Sequence, residues 1–374
     1  MAAIRFVLLT ILAVSGACAT PASDHKQGEI LRSETLAGAP LGSAATRILY
    51  ASTSQDGMPI VLSGLVIVPP LPAPPTGRPV LAWLHPTTGV DPACGPSDGP
   101  DPFSQIQGLQ NFLAAGYVVV ATDYPGLGGP GVHPYLVGSS EARAALDSVR
   151  AARRLPGTEA AGRFAVWGHS QGGHAALFTA ELARDYAPEL QLVGAAAAAP
   201  VTDIAALLEQ PERDPLWGGL LSYTVWSWSH VFNTNPDGIV PASTRPVIER
   251  TARDCLETSE QLRRLTSDAA PLQGVRVTPD SHWSDLLKDN APTPSPGQAP
   301  VLLTQGDEDP VIPPSLTRDF ARRLCAASVP VRYVAMPGVD HYQAAMRSAD
   351  TATAWIADRF AGAPPPDDCA SLSR

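Results

Sequence analysis

The stretch VWGHSQGGHAAL, residues 166–177, decides how the rest of the chain is read. It follows the apolar run Phe164-Ala165-Val166-Trp167 and leads into a helix-like pattern, Gly173 to Tyr186. Ser170 stands between them, with Gly168 before it and Gly172 and Gly173 after it. Glycines at those flanks let a backbone turn sharply and leave the serine hydroxyl projecting. A strand, a tight turn bearing serine and a helix form a nucleophile elbow. The helix also aims its first N–H groups at the same spot, where negative charge would develop. The pattern G-x-S-x-G alone is weak, so its meaning depends on what surrounds it.

Seven short, near-continuously apolar runs read as strands buried on both faces: 60–68, 79–84, 117–122, 163–168, 192–198, 301–304 and 331–335. Helical patterns separate them at 103–115, 139–154, 173–186, 315–327 and 342–359, with Ser139-Ser140-Glu141 as a capped start. This alternation predicts an α/β fold, a mostly parallel sheet flanked by helices. Residues 201–300 break the rhythm and hold Trp217, Trp226, Trp228 and Trp283, four of the seven tryptophans. They are expected to form an inserted cap between a first core part, 20–200, and a second, 301–374. The other reading is an irregular part of one domain.

A serine hydroxyl needs a base and an orienting acid. In this fold they follow in the order serine, acid, histidine. The run 301–304 leads into Gln305-Gly306-Asp307-Glu308-Asp309-Pro310-Val311-Ile312-Pro313. Asp309 fits a G-x-x-D-x-x-x-P frame and is the expected acid, with Asp307 next. After the last strand comes Met336-Pro337-Gly338-Val339-Asp340-His341, so His341, the last of eight histidines, is the expected base. His169 and His174 are assigned to packing. Oxyanion donors are expected at the backbone N–H of Gln171 and on the loop after the second run, from Thr87 or Thr88. Trp217, Trp226 or Trp228 is expected to line an acyl pocket, the other reading being that these rings form the cap's own core.

The ends of the chain point to export. One positive charge in residues 1–5, an apolar run 6–14 and small residues 15–19 have a signal-peptide layout, cleaved after Ala19. Cleavage before Cys18, giving a lipid anchor, is the alternative. Without Cys18, four cysteines remain, an even number that suits an oxidising compartment. No C-x-x-C or clustered histidine pair indicates zinc. The net charge of −10 excludes nucleic acid as a partner, and no later run is long enough to span a bilayer. With 39 prolines and 31 glycines the chain is loop-rich. No metal or organic cofactor is expected, and a monomer is.

Several stretches together resemble the secretory lipases, lipase A-like α/β-hydrolases. They are Trp83 to Val90 with Cys94-Gly95-Pro96-Ser97, ATDYPGLGGPGVHPYL at 121–136, SEARAALDSVRAARRLPG at 140–157, GHSQGGHAAL at 168–177, GDEDPVIPP at 306–314 and PGVDH at 337–341. The resemblance implies an α/β-hydrolase fold and a serine esterase or lipase acting on acylglycerols or simpler esters, with a cap over the acyl site. It favours Thr88 as the oxyanion residue. Pro86 departs from the glycine often found there and removes one N–H. The resemblance also suggests one disulfide from the first loop to the cap and one near the C-terminus, hence Cys94–Cys255 and Cys325–Cys369. An acyltransferase, a peptidase or a non-catalytic binding module are the rival functions.

Overall fold

A computed structural model of the chain describes residues 25–209 and 214–372. The expected signal segment, Cys18 included, lies outside the described residues. The nine described strands are β1 (Ile30–Leu36), β2 (Ala44–Thr53), β3 (Pro59–Val68), β4 (Arg78–Leu84), β5 (Val118–Thr122), β6 (Ala160–His169), β7 (Gln191–Ala198), β8 (Val301–Gly306) and β9 (Val331–Met336). They form one sheet in the order β1-β2-β3-β5-β4-β6-β7-β8-β9. From β5 to β9 every neighbouring pair is parallel, and the β1–β2, β2–β3 and β3–β5 pairs are antiparallel.

The seven expected strands are the inner ones and β9. Their apolar continuity follows from burial on both faces. In β4 and β6, Val80, Ala82, Leu84, Phe164 and Val166 point into one core, shared with Ala145, Val149 and Ala176. Leu81, Trp83, Ala165 and Trp167 point into the other, shared with Phe112 and Ile356. The register sets Trp83 opposite Trp167, with ring centroids 5.9 Å apart, edge to face. Strands β1 and β2 were not expected. β1 lies at the sheet edge with most side chains outward, and β2 mixes buried and half-exposed positions, so neither shows an apolar run.

The helices are α1 (Leu109–Ala114), α2 (Gly138–Arg154), α3 (Gln171–Tyr186), α4 (Ile204–Leu208), α5 (Trp217–Val231), α6 (Arg245–Thr251), α7 (Ser259–Ala269), α8 (Ser281–Asp289), α9 (Pro314–Ala326), α10 (Ala344–Phe360) and α11 (Cys369–Leu372). Two expectations need correction. The helix expected over 103–115 is only α1, because Gly108 adopts φ +78° and interrupts the pattern. The start expected at Ser139-Ser140-Glu141 has no side-chain cap. Instead the Gly138 N–H donates to Asn290 Oδ1 at 3.2 Å, and Glu141 is fully buried on another task.

Between β7 and β8 the described residues form helices α4 to α8 and no strand. They share an apolar core with Val90, Tyr135 and Ile312, in which Trp217, Trp228 and Trp283 are buried. One of the ties between this segment and the sheet lies at the loop after β4. Cys94, after β4, is bonded to Cys255, between α6 and α7, and the Leu256 N–H donates to the Thr88 carbonyl at 2.7 Å. A second disulfide joins Cys325 of α9 to Cys369 of α11. Both are the expected pairings.

The Cys94–Cys255 bridge spans 161 residues and the other 44. On the chain-entropy account the longer loop contributes on the order of 5 kcal/mol and the shorter about 4 kcal/mol, because closing either restricts the unfolded chain. The Cys94→Ser/Cys255→Ser protein should therefore lose more thermal stability than Cys325→Ser/Cys369→Ser. Scanning calorimetry of the two double variants checks this; equal or reversed losses would remove the assigned role of the longer bridge.

Candidate active site

The strand order reverses between β4 and β6, since β4 connects outward to β5 while β6 and its successors lie on the other side. In open α/β sheets the crevice at such a point, beyond the strand C-termini, is where sites form. Ser170 follows β6 there, and the loop of Pro86, Thr87 and Thr88 follows β4.

Ser170 has φ +55° and ψ −116°, a region L-residues rarely occupy, at a typical cost of about 1–3 kcal/mol. Close backbone packing enforces it. A Cβ on Gly168 would lie 2.1 Å from the Gly172 carbonyl oxygen, and one on Gly172 would lie 1.9 Å from that of Leu84. The two glycines are thus required by space. The Ser170 N–H donates to the Ala198 carbonyl at 2.9 Å, which fixes the turn against β7. Helix α3 starts at the next residue.

His341 and Asp309 come to the same place from the loops after β9 and β8. The Ser170 hydroxyl faces His341 Nε2 at 3.0 Å, and the His341 Nδ1–H donates to Asp309 Oδ2 at 2.8 Å. All three residues are buried. Asp309 Oδ1 accepts the N–H groups of Val311 and Ile312 at 2.9 and 2.8 Å, and Oδ2 accepts from Gln305 Nε2 at 2.9 Å. Burial pushes this carboxyl up, but the facing imidazole and these donors outweigh it and hold Asp309 below the usual range. Asp307 is exposed and instead accepts the Gly338 N–H at 2.7 Å, bracing the turn that precedes His341.

His169, assigned to packing, also holds His341. Its Nε2–H donates to the His341 carbonyl at 3.0 Å, with the two rings 4.9 Å apart. The Gln171 side chain turns into a buried network, donating to Glu141 Oε1 at 2.8 Å and to His133 Nε2 at 3.1 Å. Glu141 Oε2 lies 2.7 Å from His174 Nδ1, and His174 Nε2–H donates to the Asn290 carbonyl at 2.9 Å. The network thereby joins the residue after Ser170 to α2, α3 and the end of α8.

A cavity of about 270 Å³ opens at Ser170 and His341. Of the two expected oxyanion threonines, Thr87 lies on its wall and Thr88 does not. Thr87 Oγ1 shares a 2.9 Å hydrogen bond with the Tyr135 hydroxyl, while the Thr88 carbonyl is engaged by Leu256. None of Trp217, Trp226 and Trp228 is on the wall. Trp228 stacks on Trp283 at 5.9 Å, Trp217 is buried in the same core, and half-buried Trp226 donates to Glu249 at 3.2 Å. The apolar wall includes Trp83, Leu216, Leu220, Leu256, Leu262, Val311 and Met346. The sequence misplaced this role because aromatic content does not tell which face of a helix meets the site. Residues 105, 107 and 257 also line the cavity and carried no sequence signal.

Three buried imidazoles around the site are held neutral. Burial is the main cause, pushing His85 down to about 4 and His133 and His169 to about 3. Unfolded, each would titrate near about 6.5. The unfolded chain therefore binds more protons below that pH, and the stability these rings contribute is complete above it and lost as pH falls. The loss is on the order of 2 kcal/mol per ring at pH 5. The melting temperature should drop steeply between pH 7 and pH 5; a flat profile would show that the rings are not buried neutral.

A sequence model of the secretory lipases matches residues 105–368. A Mycobacterium tuberculosis protein named a probable inactive lipase is 28% identical over 369 residues, covering 90% of this chain and 79% of its own. Lipase 9 of Candida albicans is 26% identical over 289 residues, 71% of this chain and 61% of its own length. Among solved structures, Candida antarctica lipase A in its closed state superposes with TM-score 0.73 at 18% identity, over 92% of this chain and 86% of that one. The rice cell wall degrading esterase LipA of Xanthomonas oryzae gives 0.72 at 21% identity, over 90% and 99%. These two likenesses establish the α/β-hydrolase fold, and the extent of the sequence match shows that the chain belongs to the secretory lipase family of carboxylic ester hydrolases.

Proposed function

We propose that the chain hydrolyses carboxylic esters through an acyl-enzyme on Ser170. The observation that carries this reading is the unbroken line Ser170–His341–Asp309, at 3.0 and 2.8 Å, opening on one cavity. Ser170 Oγ attacks the ester carbonyl while His341 Nε2 takes its proton and later gives it to the leaving alcohol. Asp309 accepts from Nδ1–H, which fixes the tautomer and stabilises the imidazolium. The backbone N–H of Gln171 and Thr87 are the proposed oxyanion donors. Thr87 takes the role because it is the threonine on the cavity wall. Water then enters, is deprotonated by His341 and releases the acid. None of these steps calls for a metal or organic cofactor.

Residues 201–300 are proposed to act as a cap, in which Leu216 just before α5, Leu220 of α5 and Leu262 of α7 supply an apolar acyl wall together with Leu256. Export through residues 1–19 is proposed, supported by the two disulfides and by the family. Among the described residues no helix is long and apolar enough to cross a membrane.

Ser170→Ala and His341→Ala should each lower kcat on a nitrophenyl ester by roughly four to six orders of magnitude with the fold intact. Asp309→Asn should cost about 10⁴-fold, and Asp307→Asn about tenfold or less, through a loosened Gly338 turn. If Asp307→Asn proved the more damaging, the acid would be misassigned. Because one relative is named inactive, a fluorophosphonate probe is the direct check. Labelling of Ser170 is expected, and a folded protein left unlabelled would establish the non-catalytic reading.

A further inference from the structure

The cavity wall carries one charge that the ester-cleaving steps do not use. Glu257 lies on the same wall as Ser170, Thr87 and His341, half-buried, and no lysine or arginine is among the lining residues. Among the described residues its carboxylate has neither a hydrogen-bond donor nor an ion-pair partner. Its backbone, in contrast, is firmly held. The preceding Leu256 N–H donates to the Thr88 carbonyl at 2.7 Å, and Cys255 is bonded to Cys94. The N–H groups of Glu257 and Thr258 both donate to Gln261 Oε1 at 2.8 Å, within the capping box that starts α7. Glu257 is thus set on the cavity wall beside the Thr88 loop on a rigid mount, with its carboxylate unpartnered among the described residues. Burial, with a smaller contribution from Asp123, pushes its carboxyl up, as expected of a partly dehydrated group lacking a counter-charge.

An unpaired carboxylate in a partly dehydrated cavity gains most from a cation. Tyr342 on the same wall offers a half-exposed ring, the other common partner of an ammonium group. The net charge of −10 adds a long-range bias of the same sign. We propose that Glu257 selects esters by charge and that the preferred substrate carries an ammonium group near the ester. Neutral esters of the same shape come second and anionic half-esters last. The proposal rests on the ester-hydrolase reading and adds to it a substrate class and a specificity residue. Glu257 takes no part in bond making or breaking.

The test compares butyrylcholine with its neutral carbon isostere, 3,3-dimethylbutyl butyrate, on the full chain at low ionic strength. The ratio of their kcat/KM values should be about ten, as for one charge several Å away in a half-solvated site. It should approach one in Glu257→Gln and shrink in 0.5 M salt. A ratio near one in the unaltered protein, or one that Glu257→Gln leaves unchanged, would overturn the proposal. So would a glycerol monobutyrate preferred over both in a Glu257-dependent way, since that assigns hydroxyl recognition instead. Calorimetry of the same two esters with Ser170→Ala separates the two readings. A Glu257-dependent cation preference in binding, without turnover in the unaltered protein, would keep the charge site and sink the hydrolase reading. Equal binding of both esters would sink the charge site alone.

Discussion

The contact between the start of α3 and the end of β4 leaves no room for a side chain at Gly172, whose Cβ would sit 1.9 Å from the Leu84 carbonyl oxygen. That approach drives the chain through the turn at φ +55° on Ser170. It also sets the loop of Pro86, Thr87 and Thr88, which follows Leu84, beside the start of α3. The strain is local and affordable only because the two layers around it are close-packed. Trp83 and Trp167 meet edge to face on one side of the sheet, and Val166 and Ala176 share the core on the other. A looser sheet would let the turn relax and withdraw the hydroxyl from His341.

The segment between β7 and β8 packs its tryptophans in an apolar core shared with Tyr135 and Ile312, and covalent and polar links join it to the site. The Cys94–Cys255 bridge and the Leu256–Thr88 hydrogen bond converge on one loop. A cross-link at that point does more than restrict the unfolded chain. It ties Leu256 and Glu257, which line the cavity, to the loop after β4. Further links are polar: Asn290 accepts from Gly138 and from His174, coupling the end of α8 to the helices on either side of Ser170, and Ser227 and Trp228 of α5 donate to the carbonyls of His133 and Tyr135.

The buried polar groups follow one rule. Imidazoles without a carboxylate, His85, His133 and His169, stay neutral and each spends one N–H on a backbone carbonyl. The two that face a carboxylate, His174 and His341, use Nδ1 towards it and differ in what Nε2 meets. For His174 that is a carbonyl, which makes the pair with Glu141 structural. For His341 it is a serine hydroxyl with a cavity beyond, where a proton has somewhere to go.

The sequence by itself determined the inner sheet, the serine turn and the order of serine, acid and histidine. Strands buried on both faces leave continuous apolar runs, and a turn that excludes Cβ atoms leaves glycines. It left β1 and β2 invisible, because a strand with an outward face writes no such run. Asp309 and Asp307 were separable only by spacing until burial and the 2.8 Å contact distinguished them. Only the tertiary structure placed Thr87 rather than Thr88 on the wall, kept the three tryptophans off it and left Glu257 without a partner among the described residues. Each of these depends on which side of a loop or helix faces the cavity. Packing between segments more than a hundred residues apart decides that, and no local pattern records it.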